Sequence, residues 1–333
     1  MRLGIMLGYA SGKIDLPVAL VQTADEMGVY AVWTAEAYGS DAVTPLAWLG
    51  ALTKNIKLGT AIMQMPGRTP ANAAMTAMTL NQLSGDRFLM GLGLSGPQVV
   101  EGWHGVSYRM PLTRSREYVE IVRKVFERKE KLTYDGSLYQ IPYMGEDATG
   151  LGKPLRSTLH AAPNIPIYLA AIGPKNVELT AEIADGWLPL FSSPFRVHVY
   201  QESLKHCKPG FEIATTVIVS VNDDLERALL PVKMMLSFYL GGMGAQSRNF
   251  HVELLDRMGF DYATKKVQEL FIAGRRAEAI AAVPDEMADE VSLCGSRDRI
   301  RDRLQAWEES PVTSLAVATR EPRVLRFLAE ACL

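Results

Sequence analysis

The sequence has few of the residues from which metal centres and disulfide frameworks are built. Its three cysteines, Cys207, Cys294 and Cys332, are too widely spaced to form a metal-binding pair. Its five histidines include no pair with the His-x-x-x-His spacing of a helical metal site. We therefore expect no metal ion, and three scattered cysteines suit a protein of the reducing cytoplasm.

A strong charge of one sign and long hydrophobic runs are also absent. The formal net charge is -2, which excludes the basic footprint of a nucleic-acid-binding protein. No apolar run approaches the ~20 residues of a membrane span, and residues 1–5 have the pattern of a strand rather than of a signal peptide. With 48% hydrophobic and 22% charged residues, the composition is globular. We expect neither nucleic acid nor a membrane as a partner.

What the sequence has is a regular alternation of strand and helix patterns. Short apolar runs are followed by segments with helical spacing of apolar residues, at first every 25–30 residues or so. The eight predicted strands are residues 2–7, 29–34, 56–63, 88–92, 167–171, 186–190, 211–221 and 312–318. This rhythm predicts right-handed βαβ units and a parallel sheet.

Two stretches interrupt the alternation. Residues 130–163 contain a β-hairpin pattern, with Asp135-Gly136 as a two-residue turn, and then a loop rich in glycine and proline. Residues 241–293 have the pattern of several short helices. We interpret both as insertions, so the predicted fold is an α/β (β/α)₈ TIM barrel, a single domain over residues 1–333. A doubly wound sheet with a separate cap is the alternative.

The fourth predicted strand ends in a glycine-rich segment. Residues 91–96 match the G-x-G-x-x-G pattern of dinucleotide-binding folds. The genuine fingerprint opens a helix directly and belongs to the first βα turn, whereas here Pro97 begins a further loop and the next helical pattern starts near Pro111. We therefore interpret the segment as a loop at the barrel mouth, where small residues let the backbone approach a flat cofactor.

A second loop, after the fifth predicted strand, has the features of a phosphate site. Ala171 and Ile172 lead into Gly173, and Pro174 stands where proline favours the first helical turn. The free N–H groups of such a turn can hold a phosphate, and Gly173 allows close approach. The alternative is an ordinary short βα loop.

Two side chains at the predicted mouth are candidates for catalysis. Glu36 ends the second strand, where a carboxylate is often functional, although a cap or a salt bridge is the alternative. His104 follows Trp103 in the strand-four loop, where it could protonate a substrate or be structural. No G-x-S-x-G elbow is present, so hydrolysis is unsupported. A site so poor in nucleophiles suits chemistry carried by a cofactor.

At these residues the chain resembles the luciferase-like family of flavin and deazaflavin enzymes. It is most similar to an actinobacterial subgroup of oxidoreductases that use coenzyme F420. The resemblance covers essentially the whole chain, and its most specific part is residues 95–103. The other matching stretches are residues 34–37, 39–41, 58–60, 68–70, 83–85, 91–93, 173–176 and 184–189.

The resemblance implies a (β/α)₈ barrel with insertions and a deazaflavin lying across its mouth. It also implies a bulge after strand three, in which the peptide bond Ala61–Ile62 is cis. The cofactor-binding residues that it implies are Glu36, Ala61, Ile62, Leu94, Ser95, Gly96, Pro97, Gln98, Ala171, Ile172, Gly173 and Pro174.

One position departs from the pattern of the family. Its sugar-phosphate and alcohol dehydrogenases place histidine directly after the strand-two acid, and this chain has Ala37 there. The departure favours hydride donation to an unsaturated or carbonyl substrate, a small molecule packed against Trp103 and the insertions. The alternatives are an FMN-dependent monooxygenase and a protein that binds the cofactor without turnover. Barrel helices two and three look apolar enough to pair in a homodimer.

Overall fold

The computed structural model describes residues 1–244 and 249–332. Residues 245–248 of the predicted second insertion, and Leu333, lie outside the described residues. The strands are β1 Arg2–Gly8, β2 Ala31–Thr34, β3 Lys57–Thr60, β4 Met63–Gln64, β5 Phe88–Gly93, β6 Tyr134–Asp135, β7 Gln140–Ile141, β8 Ile167–Leu169, β9 Gly186–Trp187, β10 Glu212–Val221, β11 Ser292–Gly295 and β12 Ser314–Ala318.

The helices alternate with these strands, and several short ones fill the second insertion. They are α1 Val18–Glu26, α2 Val43–Leu52, α3 Pro70–Ser84, α4 Pro97–Gly102, α5 Pro111–Glu127, α6 Pro174–Ile183, α7 His198–Gln201, α8 Leu225–Gly241, α9 Phe250–Leu255, α10 Asp261–Ile272, α11 Arg276–Ala281, α12 Asp285–Glu290, α13 Arg297–Glu308 and α14 Pro322–Cys332. A 3₁₀ turn at Met65–Gly67 and a π turn at Asp256–Phe260 complete the set.

Parallel strands close into a barrel. From β12 the ring runs through β1, β2, β3, β5, β8 and β9 to β10, which pairs again with β12. These are eight strand positions, because β3 and β4 are two parts of one strand and both pair with β5. The predicted (β/α)₈ barrel is confirmed.

Local sequence signals set the ends of the barrel helices. At the start of α3, Thr69 Oγ1 accepts a hydrogen bond from the Asn72 N–H at 3.3 Å, and Pro70 occupies the first helical position. The same helix ends at Gly85, whose φ of 71° lies in the left-handed region that glycine tolerates. Asp224 caps α8 by accepting from the Arg227 N–H, as the sequence predicts.

Strand three is broken where it reaches the barrel mouth. The peptide bond between Ala61 and Ile62 is cis, so this prediction is confirmed. Just before it, the Thr60 hydroxyl donates to the Gly91 carbonyl at 2.8 Å and accepts from the Gly91 N–H at 2.9 Å. Beyond the break, Met63 and Gln64 resume the ladder opposite Leu92 and Gly93. The side chain of Gln64 therefore enters the mouth from a regular strand.

Two aromatic rings pack in the barrel interior together with aliphatic side chains of neighbouring strands. Trp33 and Tyr168 are buried and pack edge to face, with ring centroids 5.6 Å apart. A Cβ atom at Gly59 would lie 2.2 Å from the Trp33 ring, and one at Gly91 would lie 1.8 Å from the Thr60 carbonyl oxygen. Only glycine fits at these two positions, and the interior is a packed core, as in other TIM barrels.

The N-terminal end of the barrel is tied together by a polar group around Glu212. The Tyr168 hydroxyl donates a hydrogen bond to the Glu212 carboxylate, and burial raises the pKa of Tyr168, which keeps it a donor. Arg2 pairs with the same carboxylate at 2.8 Å and lies over the Tyr30 ring. This arrangement closes the floor opposite the mouth.

In the first insertion the predicted hairpin is present, but its predicted turn is wrong. Strands β6 and β7 pair Asp135 with Gln140, so the turn spans residues 136–139 instead of Asp135-Gly136. The reason lies in α5, where the buried Glu117 carboxylate accepts three N–H groups, those of Ser137, Leu138 and Tyr139. A tertiary contact therefore overrides the local preference for a two-residue turn.

Three further segments differ from the sequence-based expectation. A short helix, α4, directly follows Gly96 where a loop was predicted, because the Gly96 carbonyl accepts the Val99 and Val100 N–H groups at 3.0 Å. The alternation also predicts a helix over residues 194–207, between the sixth and seventh strands, but only the four residues of α7 are α-helical there. The second insertion contains a strand, β11, which pairs with the C-terminal half of β10.

Candidate active site

A cleft opens at the C-terminal ends of β2, β4 and β5. Its volume is about 230 Å³, and its walls include Glu36, Tyr38, Gln64, Trp103 and His104. Tyr38 and Trp103 are exposed, with 52% and 65% of their surface accessible, so both rings are free to contact a ligand. Both residues that the sequence predicts as catalytic, Glu36 and His104, therefore lie in one cleft.

Glu36 is held by four donors. Its two oxygens accept from both terminal nitrogens of Arg68, from the Ala42 N–H at 3.0 Å and from the Gln64 N–H at 2.7 Å. Burial opposes the charge of Arg68, but the hydrogen bond and the charge of Glu36 outweigh it and raise the pKa of Arg68. These donors occupy the acceptor positions of the carboxylate, so Glu36 fixes the local backbone.

His104 is the second predicted catalytic residue. Its Nε2 lies 2.7 Å from the side-chain oxygen of Gln64. The ring also packs on Gly67, where an added Cβ would lie 3.1 Å from the Cε1 atom of His104. Among the described residues, none bonds to Nδ1 of His104. The histidine is thus held at one ring nitrogen and open at the other.

The glycine-rich loop after β5 joins this group through Ser95. The Gln64 amide donates to the Ser95 hydroxyl at 3.1 Å, and Ser95 has a φ of 61°, which is rare for a residue other than glycine. Leu94 is buried, Ser95, Gly96 and Pro97 are half-buried, and Gln98 is exposed. Residues 94–98 do not line the cleft, and the predicted cofactor loop is linked to it through the Gln64–Ser95 hydrogen bond.

The predicted bulge after strand three lies between this loop and the barrel interior. Ala61 and Ile62 are half-buried and pack against the cluster that contains Trp33. A Cβ at Gly93 would lie 2.9 Å from the Ile62 side chain and 3.5 Å from the Ala170 Cβ. Gly93 thus lets Ile62 settle over the end of β5, towards the next strand, β8.

The predicted phosphate turn lies at the end of β8. Ala171 is buried and accepts from the Trp187 indole at 2.9 Å, and Gly173 directly precedes α6. A Cβ at Gly173 would have no atom within 4 Å, so the turn opens into free space. Arg257 donates to the Ile172 carbonyl at 3.1 Å, and its buried Nε has no hydrogen-bond partner among the described residues.

Sequence reasoning missed two residues that the structure brings to these sites. Gln64 joins Glu36, Ser95 and His104, each of which lies 28 to 40 positions from Gln64 along the chain. Arg257 reaches the Gly173 turn from the second insertion, 85 positions away from Ile172. Within the described residues, no group of three His, Cys, Asp or Glu side chains could hold a metal ion. No helix in that part is long and apolar enough to span a bilayer.

Comparison with known proteins fits this geometry. The family model of the luciferase-like monooxygenases matches residues 1–314. The chain belongs to this family. The closed ring of eight strand positions agrees with this assignment.

Three relatives of this luciferase-like chain are informative. A Mycobacterium tuberculosis protein, provisionally named a coenzyme F420-dependent oxidoreductase, is 44% identical to this chain. The alignment covers 99% of this chain and 98% of the relative. A 5,10-methylenetetrahydromethanopterin reductase of Archaeoglobus fulgidus is 27% identical over 90% of this chain and 88% of its own. The structure of the coenzyme F420-dependent tetrahydromethanopterin reductase of Methanopyrus kandleri superposes with a TM-score of 0.79 at 21% identity, covering 99% and 97% of the two chains.

Proposed function

We propose that this chain is a coenzyme F420-dependent oxidoreductase that transfers a hydride between the deazaflavin and a small organic substrate. The observation that carries the proposal is the 44% identity, over nearly the whole chain, to a protein provisionally named for that activity. The preferred direction is reduction of an unsaturated or carbonyl compound, because Ala37 removes the histidine that alcohol-oxidising relatives carry after Glu36.

The residues at the mouth fit such a cofactor. Ala61 and Ile62 offer an apolar ledge to a flat ring, and residues 94–98 offer backbone and small side chains beside it. At the Gly173 turn, the open space and the positive charge of Arg257, which donates to the Ile172 carbonyl, suit the negative charge of a phosphate. We assign the ring to the first group and the phosphate to the second.

The bound reduced deazaflavin supplies the hydride, and the protein supplies position and a proton. Tyr38 and Trp103 pack against an apolar substrate in the cleft and exclude water from it. His104 exchanges a proton with the substrate at Nδ1. Glu36 and Arg68 hold β4 and the chain after it in place.

A comparison of cofactors tests the proposal. F420 is expected to raise the melting temperature and FMN is expected to leave it unchanged, since only a ligand that binds the folded state stabilises it. A rise with FMN alone would overturn the proposal in favour of the monooxygenase alternative. Binding of F420 with no turnover on a panel of enones and ketones would favour the alternative of a cofactor-binding protein.

A substitution at Gly173 tests the phosphate assignment. Gly173→Val places a side chain in the open turn without meeting any other atom, so the barrel should stay folded while F420 binding weakens about tenfold or more. Gly152→Val is the matched control, because its Cβ would have only an ordinary 3.5 Å contact with Pro142. Equal affinity of the folded Gly173→Val variant would refute the assignment.

We also propose that the chain forms a homodimer through α2 and α3. Trp48 and Leu52 on α2, and Met75 and Leu83 on α3, are exposed large apolar side chains on neighbouring helices. Trp48 and Leu83 expose 63% and 77% of their surface. Pairing two copies of this face would remove that apolar surface from water.

A further inference from the structure

The side chain of Gln64 is buried although it lies at the barrel mouth. Only 3% of the residue is accessible, and both ends of its amide are bonded within the protein. A buried amide is costly unless each end finds a partner. The Gln64 partners, Ser95 and His104, belong to the two segments proposed for the cofactor and for the proton.

The backbone of Gln64 is held in place independently of its side-chain contacts. The residue pairs with Gly93 in the strand ladder, and its N–H donates to Glu36 at 2.7 Å. Glu36 is itself held by Arg68. Because the backbone of Gln64 is restrained in this way, the side-chain amide of Gln64 can orient the neighbouring His104 ring.

The hydrogen bond between Gln64 and His104 indicates which ring nitrogen of His104 carries a proton. The carbonyl oxygen of Gln64 lies 2.7 Å from Nε2 of the ring, and a carbonyl can only accept. The NH₂ group of the same amide donates to Ser95, which leaves the oxygen facing His104 and assigns a proton to Nε2 in both the neutral imidazole and the imidazolium. The packing of the ring on Gly67 limits other orientations.

We propose that Gln64 is a positioning residue that keeps a proton on Nε2 of His104 and so confines proton exchange to Nδ1. This inference rests on the proposed function.

When His104 is an imidazolium, the Nδ1–H bond breaks and its proton joins the substrate atom that gains negative charge as the hydride arrives. His104 returns to the neutral Nε2–H form, and Nδ1 regains its proton from water. The Gln64 contact is the same in both states, so no rearrangement is needed.

Nitrogen NMR of the imidazole rings tests this inference without any cofactor. The protein has five histidines, and a His104→Gln variant identifies the signals of His104. At high pH, His104 in the wild type should show a protonated Nε2 and an unprotonated Nδ1. Gln64→Met, which keeps the volume but removes the acceptor, should give a mixture of tautomers, and Gln64→Glu should restore the Nε2–H form. A wild type protonated on Nδ1, or an unchanged tautomer in folded Gln64→Met, would overturn the inference.

Two further variants serve as an alternative to Gln64→Met and as a control. Gly67→Ala pushes on the His104 ring from a Cβ 3.1 Å from Cε1 and should also mix the tautomers, which provides a second route if Gln64→Met does not fold. Gln201→Met is the control, because Gln201 is exposed on α7, away from the mouth strands. A mixture of tautomers in the control would count against the inference.

Kinetics separates this inference from the proposed function. With F420 and a reducible substrate, Gln64→Met should lower kcat by about 10–100-fold, the scale expected for a misplaced catalytic group, with a smaller change in KM. Gln64→Glu should recover part of the loss. If the wild type shows the predicted tautomer but no turnover with F420, the proposed function fails and the Gln64 assignment stands. If turnover is normal in Gln64→Met, the assignment fails and the proposed function stands.

Discussion

At the scale of single residues, the Glu36 carboxylate has both of its oxygens bonded within the protein. Four donors surround its two oxygens, and three of them come from residues 64 to 68, at the end of the broken strand and just after it. The carboxylate therefore sets where Gln64 and Arg68 lie. We therefore expect Glu36 to affect catalysis through the shape of the mouth.

Replacing Glu36 tests this role. Glu36→Gln removes the charge that Arg68 faces and puts an NH₂ group against one of the four donors. We expect the free energy of unfolding to fall by about 2–3 kcal/mol, together with weaker cofactor binding. Urea unfolding and a cofactor titration measure the two effects.

Glu182→Gln is the matched control for this prediction. It breaks a bidentate pair with Arg116 on the exposed surface, where such pairs contribute only about 0–1 kcal/mol. Normal stability together with lost turnover in Glu36→Gln would contradict the structural role and return Glu36 to the catalytic role predicted from the sequence.

His251 gives the protein a specific sensitivity to acid. Its ring lies between Phe191 and Tyr239, its Nδ1 is buried without a partner among the described residues, and desolvation lowers its pKa to about 4. Above pH 6.5 the residue is neutral whether the chain is folded or unfolded. Between pH 6.5 and 4 only the unfolded chain binds the proton, so the folded state loses stability as the pH falls.

The acid sensitivity can be measured directly. The wild type should lose up to about 3 kcal/mol between pH 6.5 and 4 through this residue, and His251→Phe should lose correspondingly less over the same range. His206→Gln, at an exposed histidine, should follow the wild type. Parallel curves of unfolding free energy against pH for wild type and His251→Phe would refute the prediction.

At the scale of elements, the hairpin turn of the first insertion is bonded to α5 through one carboxylate. Glu117 on α5 accepts the N–H groups of the hairpin turn at distances of 2.6 to 3.0 Å. Gly136 makes room for it, since a Cβ there would lie 2.6 Å from the carboxyl carbon. The short strands β6 and β7 contribute little alone, because isolated two-stranded hairpins are marginal.

Glu117→Ala should therefore loosen the hairpin and leave the barrel intact. The amides of Ser137, Leu138 and Tyr139 lose their acceptor, and we expect hydrogen exchange across residues 134–141 to accelerate about tenfold or more. Glu120→Ala is the control, because the exposed Glu120 contacts the hairpin only through the Tyr134 hydroxyl. Unchanged protection of the hairpin in Glu117→Ala would show that other contacts hold it.

Elements with strong local patterns could be predicted from the sequence, and those defined by distant contacts could not. The eight barrel strands are apolar runs, the first four of them spaced by about 25–30 residues, and all of them form. Helix α4 has six residues, which is too short for a clear period, and β11 depends on pairing with β10. The link between Gln64 and His104 spans 40 positions, and no local pattern encodes it.

At the scale of the whole molecule, both ends of the chain take part in the barrel. Arg2 to Ile5 of β1 pair with Ser314 to Val317 of β12, which closes the ring. We propose on this basis that the chain folds as a single domain, with the insertions attached to it. A single cooperative unfolding transition, seen alike by far-ultraviolet circular dichroism and tryptophan fluorescence, is the expected result.

The proposed dimer makes a prediction about mass in solution. Leu83→Lys and Trp48→Lys place a charge on the apolar face of α2 and α3, and light scattering should then report the mass of one chain instead of two. Leu225→Lys, on α8, is the control and should leave the mass unchanged. A wild type of single-chain mass would refute the dimer.

The packed barrel axis has a consequence for the order of events during turnover. Because Trp33 and Tyr168 pack in the interior and the Arg2–Glu212 pair closes the opposite end, we expect molecules to reach and leave the proposed site from one side only. A ligand lying against Ile62 must arrive before the one that covers it and depart after it. High concentrations of the outer ligand should therefore trap the inner one, slow its release and produce inhibition by excess substrate.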